Sequence, residues 1–347
     1  MQDFDVDAVS CLKQSLGKGF ITNANANHDL AAHQSVITMV HAKHNLSVNI
    51  EFRNWKWTHD SIDKPDFISR QLGKHALVVF LLATVYESPR NTLSIQEFYD
   101  KIQLIAMRHG HMRVYPNVQE MQQDHFKIGD IRALDIIAQH SPKSCGKNGV
   151  KVVIIEEARN KVGCHNLKRR QTGIRPGFKT AQVGPCNPLL LHQKYIATLQ
   201  DFGEFRVFLQ APPHPMGPAK IIAIALTKLE ALRGRMVARH ILLENFSWAG
   251  KNEKLWKEKK IELRDFACHI YTQLRARLDA NEVYESLKIE VRLNISISVL
   301  DPSGQFFVNE ITRWHSADFF SMDILRYPYL KICKRYSAAW SAFLRKL

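Results

Sequence analysis

No stretch of this chain is long and apolar enough to suggest a helix across a bilayer. The longest apolar run, Ala76 to Tyr86 ("ALVVFLLATVY"), falls short of the roughly 20 residues a helical span needs and reads as a buried strand. The first residues carry Asp3, Asp5 and Asp7 and no apolar core, which argues against a secretory leader. Cysteine is sparse: the six residues Cys11, Cys145, Cys164, Cys186, Cys268 and Cys333 include no CxxC and no pair at zinc-ligand spacing. They read as free thiols in a reducing, cytoplasmic setting. The sixteen histidines are scattered. His109 and His111 flank Gly110, and His41 lies three residues from His44, but neither pair has a matching second pair, so both read as ordinary polar residues. Internal repeats and low-complexity tracts are missing, as are the RNP, KH, zinc-finger and helix-turn-helix signatures of nucleic-acid binders.

What the chain has in quantity is positive charge. The formal net charge is +15 over 347 residues, which favours polyanionic partners such as nucleotide phosphates, nucleic acid or an anionic surface. The charge is concentrated. Arg159 to Lys179 holds Arg159, Lys161, Lys168, Arg169, Arg170, Arg175 and Lys179 with no acid, and a second acid-free basic stretch runs from Arg326 onward. Compact basic loops near glycine suit a triphosphate; a long basic face with exposed aromatics suits nucleic acid better. Hydrophobic residues make up 45% and charged residues 23%, so a packed core is expected, in two domains or in one with large insertions.

Periodicity divides the chain. Residues 1–45 read as an N-terminal segment with room for one helix near Leu30 to His44. "SVNIEFRNW" (Ser47 to Trp55) alternates as a strand does, and "KHALVVFLLATV" (Lys74 to Val85) is apolar on both faces like a central parallel strand. Thr92 to His109 has helical spacing, Met112 to Asn117 is a short strand stopped by proline, and Val118 to His140 is helical again. Strand–helix–strand–helix order implies an α/β unit. An antiparallel, α+β pattern follows, with short β-runs at Val150 to Glu157, Asn187 to Ile196, Gly203 to Ala211 and Ala219 to Lys228 separated by glycine and proline turns. Asn252 to Leu278 reads as a long helix with Leu255, Ile261, Leu263, Phe266, Ile270 and Leu274 on its apolar face. Tyr329 to Leu347 reads as a C-terminal helix docked through Ile332, Tyr336, Trp340 and their neighbours.

Between the two helices, Ser286 to Asp301 and "QFFVNEIT" from Gln305 read as the arms of a hairpin around the turn Asp301 to Gly304. Arg292 and Asn294 are two apart and share a face, and so do Glu310 and Thr312. Antiparallel pairing brings the four together. Such a patch suits one Mg²⁺ with phosphate oxygens as its remaining ligands. The alternative is a hydrogen-bonded sheet end with an Arg–Glu pair.

In order and spacing of motifs over about residues 110–325, the chain resembles the ATP-grasp superfamily of ATP-dependent carboxylate–amine ligases. It is similar to fungal ATP-grasp-like proteins carrying "GEFRVF" and "FFVNEITRW". The resemblance implies an α/β pre-ATP-grasp-like domain over residues 46–120. An ATP-grasp-like domain then covers 121–328, as a lysine and loop subdomain (121–196) and a metal-site subdomain (197–328), with the C-terminal helix at 329–347. The two α+β subdomains would enclose the nucleotide between antiparallel sheets. In that family an R-x-D strand and an E-x-N strand hold the Mg²⁺ that bridges the ATP phosphates. Here they read Arg292-Leu293-Asn294 and Glu310-Ile311-Thr312, so Glu310 alone keeps its carboxylate, beside two neutral oxygens from Asn294 and Thr312. The resemblance further assigns Lys127 and Lys168 to the phosphates. The loop after Lys168 is poor in glycine, but Arg169, Arg170 and Arg175 can replace backbone amides as phosphate donors. The adenine hinge falls on Gln193-Lys194-Tyr195-Ile196, and Glu204 with Arg206 lines the nucleotide and acyl-phosphate pocket.

Three functions follow as expectations. The first is a ligase that uses Mg²⁺ and ATP to make an acyl phosphate, which an amine attacks, with Arg206 and Arg292 stabilising the transferring phosphoryl group. The second is an ATP-grasp fold that binds nucleotide or a partner without turnover, suggested by Asn294 and Thr312. The third, resting on charge alone, is nucleic-acid binding.

Overall fold

The computed structural model describes residues 64, 66, 78–81, 95–121, 128–140, 197–212, 217–230, 235–313 and 326–346. The N-terminal segment and the strands expected at Ser47 to Trp55, Val150 to Glu157 and Asn187 to Ile196 lie outside these residues.

The α/β signal at the start of the described chain forms a strand–helix–strand unit. β1 (Val78–Leu81) pairs in parallel with β2 (Met112–Tyr115), and α1 (Ile95–Arg108) connects them. A parallel pair needs such a crossover, because a tight turn can only return the chain antiparallel. The helical stretch read from Val118 to His140 shows as a turn at residues 118–121 and as α2 (Ile128–His140). Asn117 caps the turn, its Oδ1 accepting from the Glu120 backbone N–H at 2.9 Å.

The larger unit is a five-stranded antiparallel sheet. After the short helix α3 (Ala197–Asp201) come β3 (Glu204–Gln210), β4 (Lys220–Glu230) and β5 (Arg235–His240), then a 3₁₀ turn at Leu243–Ala249. α4 (Glu253–Ala276) and α5 (Ala280–Val283) lead to β6 (Glu290–Ile297) and β7 (Phe306–Thr312), and α6 (Arg326–Leu344) follows. Strand order is β5-β4-β3-β6-β7, which places β3 at the centre. α4 starts where Asn252 Oδ1 accepts from Lys254 N–H at 2.8 Å, with Glu253 in its first turn and Arg275 in its last, both matched to the helix dipole.

Alternation gives the sheet two faces. Phe205, Val207, Leu209, Leu293, Ile295 and Ile311 lie on the face packed against α4 and α2. On the opposite face Phe208, Ile222, Ala225 and Ala238 pack under Ile332 and Tyr336 of α6. Tyr336 Oη also donates to the Val291 carbonyl at 3.4 Å, and Trp340 stands edge-on to Tyr115 of β2 at 5.2 Å. The C-terminal helix therefore bridges the sheet and the parallel pair.

Several expectations are corrected. Ser286 is not in a strand: Glu285–Lys288 form a 3₁₀ turn, and β6 begins only at Glu290. Leu255 and Ile261 are exposed, so the buried face of α4 starts at Leu263, where the helix first reaches the sheet. The C-terminal helix begins at Arg326, and Pro328 is accommodated in its first turn, where no intrahelical N–H bond is needed. β5, with the mixed sequence "RMVARH", carries no sequence signal and adds an edge strand.

Candidate functional site

The half of the sheet's second face that α6 does not occupy is lined by polar side chains. In the register Arg206 stands opposite Asn294, Asn294 opposite Glu310, Arg292 opposite Thr312, and Glu204 opposite Thr227. Directly opposed residues share a face, so two guanidinium groups, two carboxylates, an amide and two hydroxyls converge across four strands. Arg206, Arg292, Asn294, Glu204, Thr227 and Thr312 are all buried, and Glu310 is half-buried.

Buried polar groups require partners, and here they serve one another. Arg206 Nη2 lies 2.9 Å from Glu204 Oε2, and its Nε donates to Thr227 Oγ1 at 2.9 Å. Arg292 Nε donates to Asn294 Oδ1 and its Nη2 to Thr312 Oγ1, both at 3.1 Å. Asn294 Nδ2 donates to Glu310 Oε2 at 2.6 Å. Burial lowers the Arg206 pKa, while Glu204 and Glu310 oppose the shift. For Arg292 burial, and then the like charge of Arg206, bring the pKa down to about 9 against the pull of Glu310. Arg206 is paired with Glu204, and Glu310 offsets the charge of Arg292, so the buried face holds both signs in contact.

The register slips between Asn294 and Ile295, which leaves Asn309 as an extra residue on β7. This bulge turns Asn309 to the polar face, where its Nδ2 donates to Glu204 Oε1. Asn309 and Thr227 thus join a set whose other members were expected. Strict alternation would put Phe307 and Glu310, three residues apart, on opposite faces; the register puts them on one, and nothing in the sequence marks the bulge at Asn309.

At the edge of this face, Arg313 enters a separate buried network. Its guanidinium grips Asp130 of α2 through two bonds of 2.7 and 2.8 Å, and its Nε lies 3.2 Å from Glu120 Oε1. Tyr284 Oη donates to Asp130 at 3.2 Å, and the Ser286 N–H and hydroxyl both donate to Glu120. Burial pushes the Glu120 carboxyl up to about 7, although Arg313 and the Ser286 bonds pull it down. The network anchors the end of β7 to the helical turn at residues 118–121 and to α2.

Lys127, Lys168, Arg169, Arg170, Arg175 and the hinge Gln193, Lys194, Tyr195 and Ile196 lie outside the described residues. Of the metal-directed residues, Asn294 and Thr312 do not fit the part of metal ligands. Both oxygens accept N–H donors from Arg292, and Asn294 turns its NH₂ toward Glu310. Among the described residues no group of three or more His, Cys, Asp or Glu side chains is placed to hold a metal ion, and no helix is long and apolar enough to cross a membrane. No protein-family model matches the chain, and neither curated proteins nor solved structures provide a match.

Proposed function

We propose that the protein is an ATP-grasp-like nucleotide-binding protein whose polar sheet face takes the phosphates of ATP. The ligase class supplies its chemistry: ATP phosphorylates a carboxylate, and an amine attacks the acyl phosphate. The observation that carries the proposal is the convergence of Arg206 and Arg292 with Glu204, Asn294, Glu310 and Thr312 on one buried face across β3, β6 and β7. A hydrophobic sheet face has no use for two guanidinium groups; a phosphoryl group does. In this arrangement Arg206 and Arg292 hold the transferring phosphoryl oxygens, and Glu204 and Thr227 hold Arg206 in place. Lys127, Lys168 and the basic loop would complete the cradle, and Gln193 to Ile196 the adenine contact.

A second reading is favoured by the bonds that Arg292 makes to Asn294 and Thr312. With those oxygens committed, the face suits a module that binds nucleotide without turning it over. An ADP-release assay across pooled carboxylates and amines, run beside ATP binding, separates the two. Substrate-dependent ADP release establishes the ligase. Binding without release establishes the module, and no binding removes both.

A further inference from the structure

The hydrogen bonds on the polar face fix the orientation of Asn294. Its Oδ1 accepts from Arg292 Nε at 3.1 Å, while its Nδ2 donates to Glu310 Oε2 at 2.6 Å and lies 3.5 Å from Thr312 Oγ1. Turning the amide over would set NH₂ against guanidinium and oxygen against carboxylate, losing two buried hydrogen bonds at once. Thr312 Oγ1 is likewise engaged by Arg292 Nη2. The two neutral oxygens that a divalent cation would need beside Glu310 therefore face a cation that the chain already carries. Mg²⁺ demands near-ideal octahedral oxygen geometry, and a guanidinium already bonded to both oxygens sets a positive charge where the ion would sit. Formal charge agrees. Among the described residues of the face, Arg206 and Arg292 balance Glu204 and Glu310, whereas an aspartate at position 294 would leave that set negative and attractive to a metal.

We infer that Arg292 stands in the place of a divalent cation, so that with Arg206 it binds a polyphosphate directly and without Mg²⁺. The inference rests on the reading of this face as a phosphate site, but neither on adenine recognition nor on turnover. A planar guanidinium offers a fork of donors that matches two phosphate oxygens, a role that a metal would otherwise fill by charge alone. Glu310 then orients Asn294 and Arg292 and is a repulsive neighbour to the ligand, not its bridge to a metal.

The test is calorimetric titration of inorganic tripolyphosphate and of ATP into the full chain, in EDTA and in excess Mg²⁺, for wild type and Glu310→Gln. Glutamine keeps an oxygen to accept from Asn294, so the fold is retained, and a melting curve checks it. The expected result is binding in EDTA at least as tight as in Mg²⁺, with Glu310→Gln strengthening it by about fivefold as a neighbouring negative charge is removed. The inference is overturned if binding requires Mg²⁺ and Glu310→Gln abolishes it; the nucleotide reading would then survive. If tripolyphosphate binds in EDTA and ATP does not, the inference holds and the nucleotide reading fails. If neither ligand binds in either condition, both fail. Asn294→Asp supplies the converse, because a second carboxylate should make binding depend on Mg²⁺.

Discussion

Glu120 and Gly203 show how much single residues carry in this fold. Glu120 is fully buried, and burial raises its pKa from 4.5 to about 7. The folded chain thus keeps a proton there that the unfolded chain releases between those values. The stability linked to that proton is complete below pH 4.5 and is lost as pH rises through 7, on the order of 3 kcal/mol in all. Urea denaturation of wild type and Glu120→Gln at pH 5 and pH 8 measures it. The wild type should lose more stability than the variant on going to pH 8, and parallel losses would contradict the assignment. Gly203 follows α3 with φ +98°, and its N–H bonds the Thr198 carbonyl at 3.1 Å, ending the helix in a left-handed cap. A Cβ there would stand 2.0 Å from the Thr227 carbonyl oxygen, a backbone atom of the neighbouring strand. Gly203→Ala is expected to destabilise by at least about 2 kcal/mol, from strain and collision together, read as a lowered Tm.

Elements were legible where a local pattern and a tertiary requirement agreed. The β6–β7 hairpin follows from alternation around "DPSG", and its pairing brought Arg292, Asn294, Glu310 and Thr312 together as two-residue spacing implies. The β1–α1–β2 unit was legible for the same reason. Asn309 was not, because strict alternation places it on the face opposite Glu310 and only the bulge brings both to one side. Arg313 with Glu120 and Asp130 was hidden by distance: their contacts close over more than 180 residues of chain, and each is unremarkable in its local sequence. The exposed start of α4 was misread because apolar spacing shows which face is available, but not where the helix meets the sheet. α6 provides the element-scale prediction. Trp340 is fully buried, stacks edge-on with Tyr115 and Phe343, and bonds Glu290 at 3.4 Å. Trp340→Ala should lower stability by about 3 to 5 kcal/mol, checked by chemical denaturation, whereas a loss under about 1 kcal/mol would mean that α6 does not hold the two β units together.

At the scale of the whole molecule, one sheet organises the described chain. One face is an aliphatic and aromatic core under α4 and α2; the other is divided between the apolar seat of α6 and the polar patch. In the proposed function, the net charge of +15 supplies long-range attraction for anions and the buried guanidinium pair a short-range destination. On the proposed reading, salt dependence distinguishes a phosphate site from a general basic surface. Ligand held by buried arginines loses affinity only gradually with salt, while nucleic acid on surface lysines would lose it steeply. The most direct measurement is calorimetry of ATP with wild type and with Arg206→Gln, after melting curves show that both are folded. The account predicts micromolar binding by wild type, weakened at least about tenfold in Arg206→Gln by loss of a charged phosphate partner. Equal binding by the two proteins, or none by wild type, would contradict the assignment of the polar face as the phosphate site.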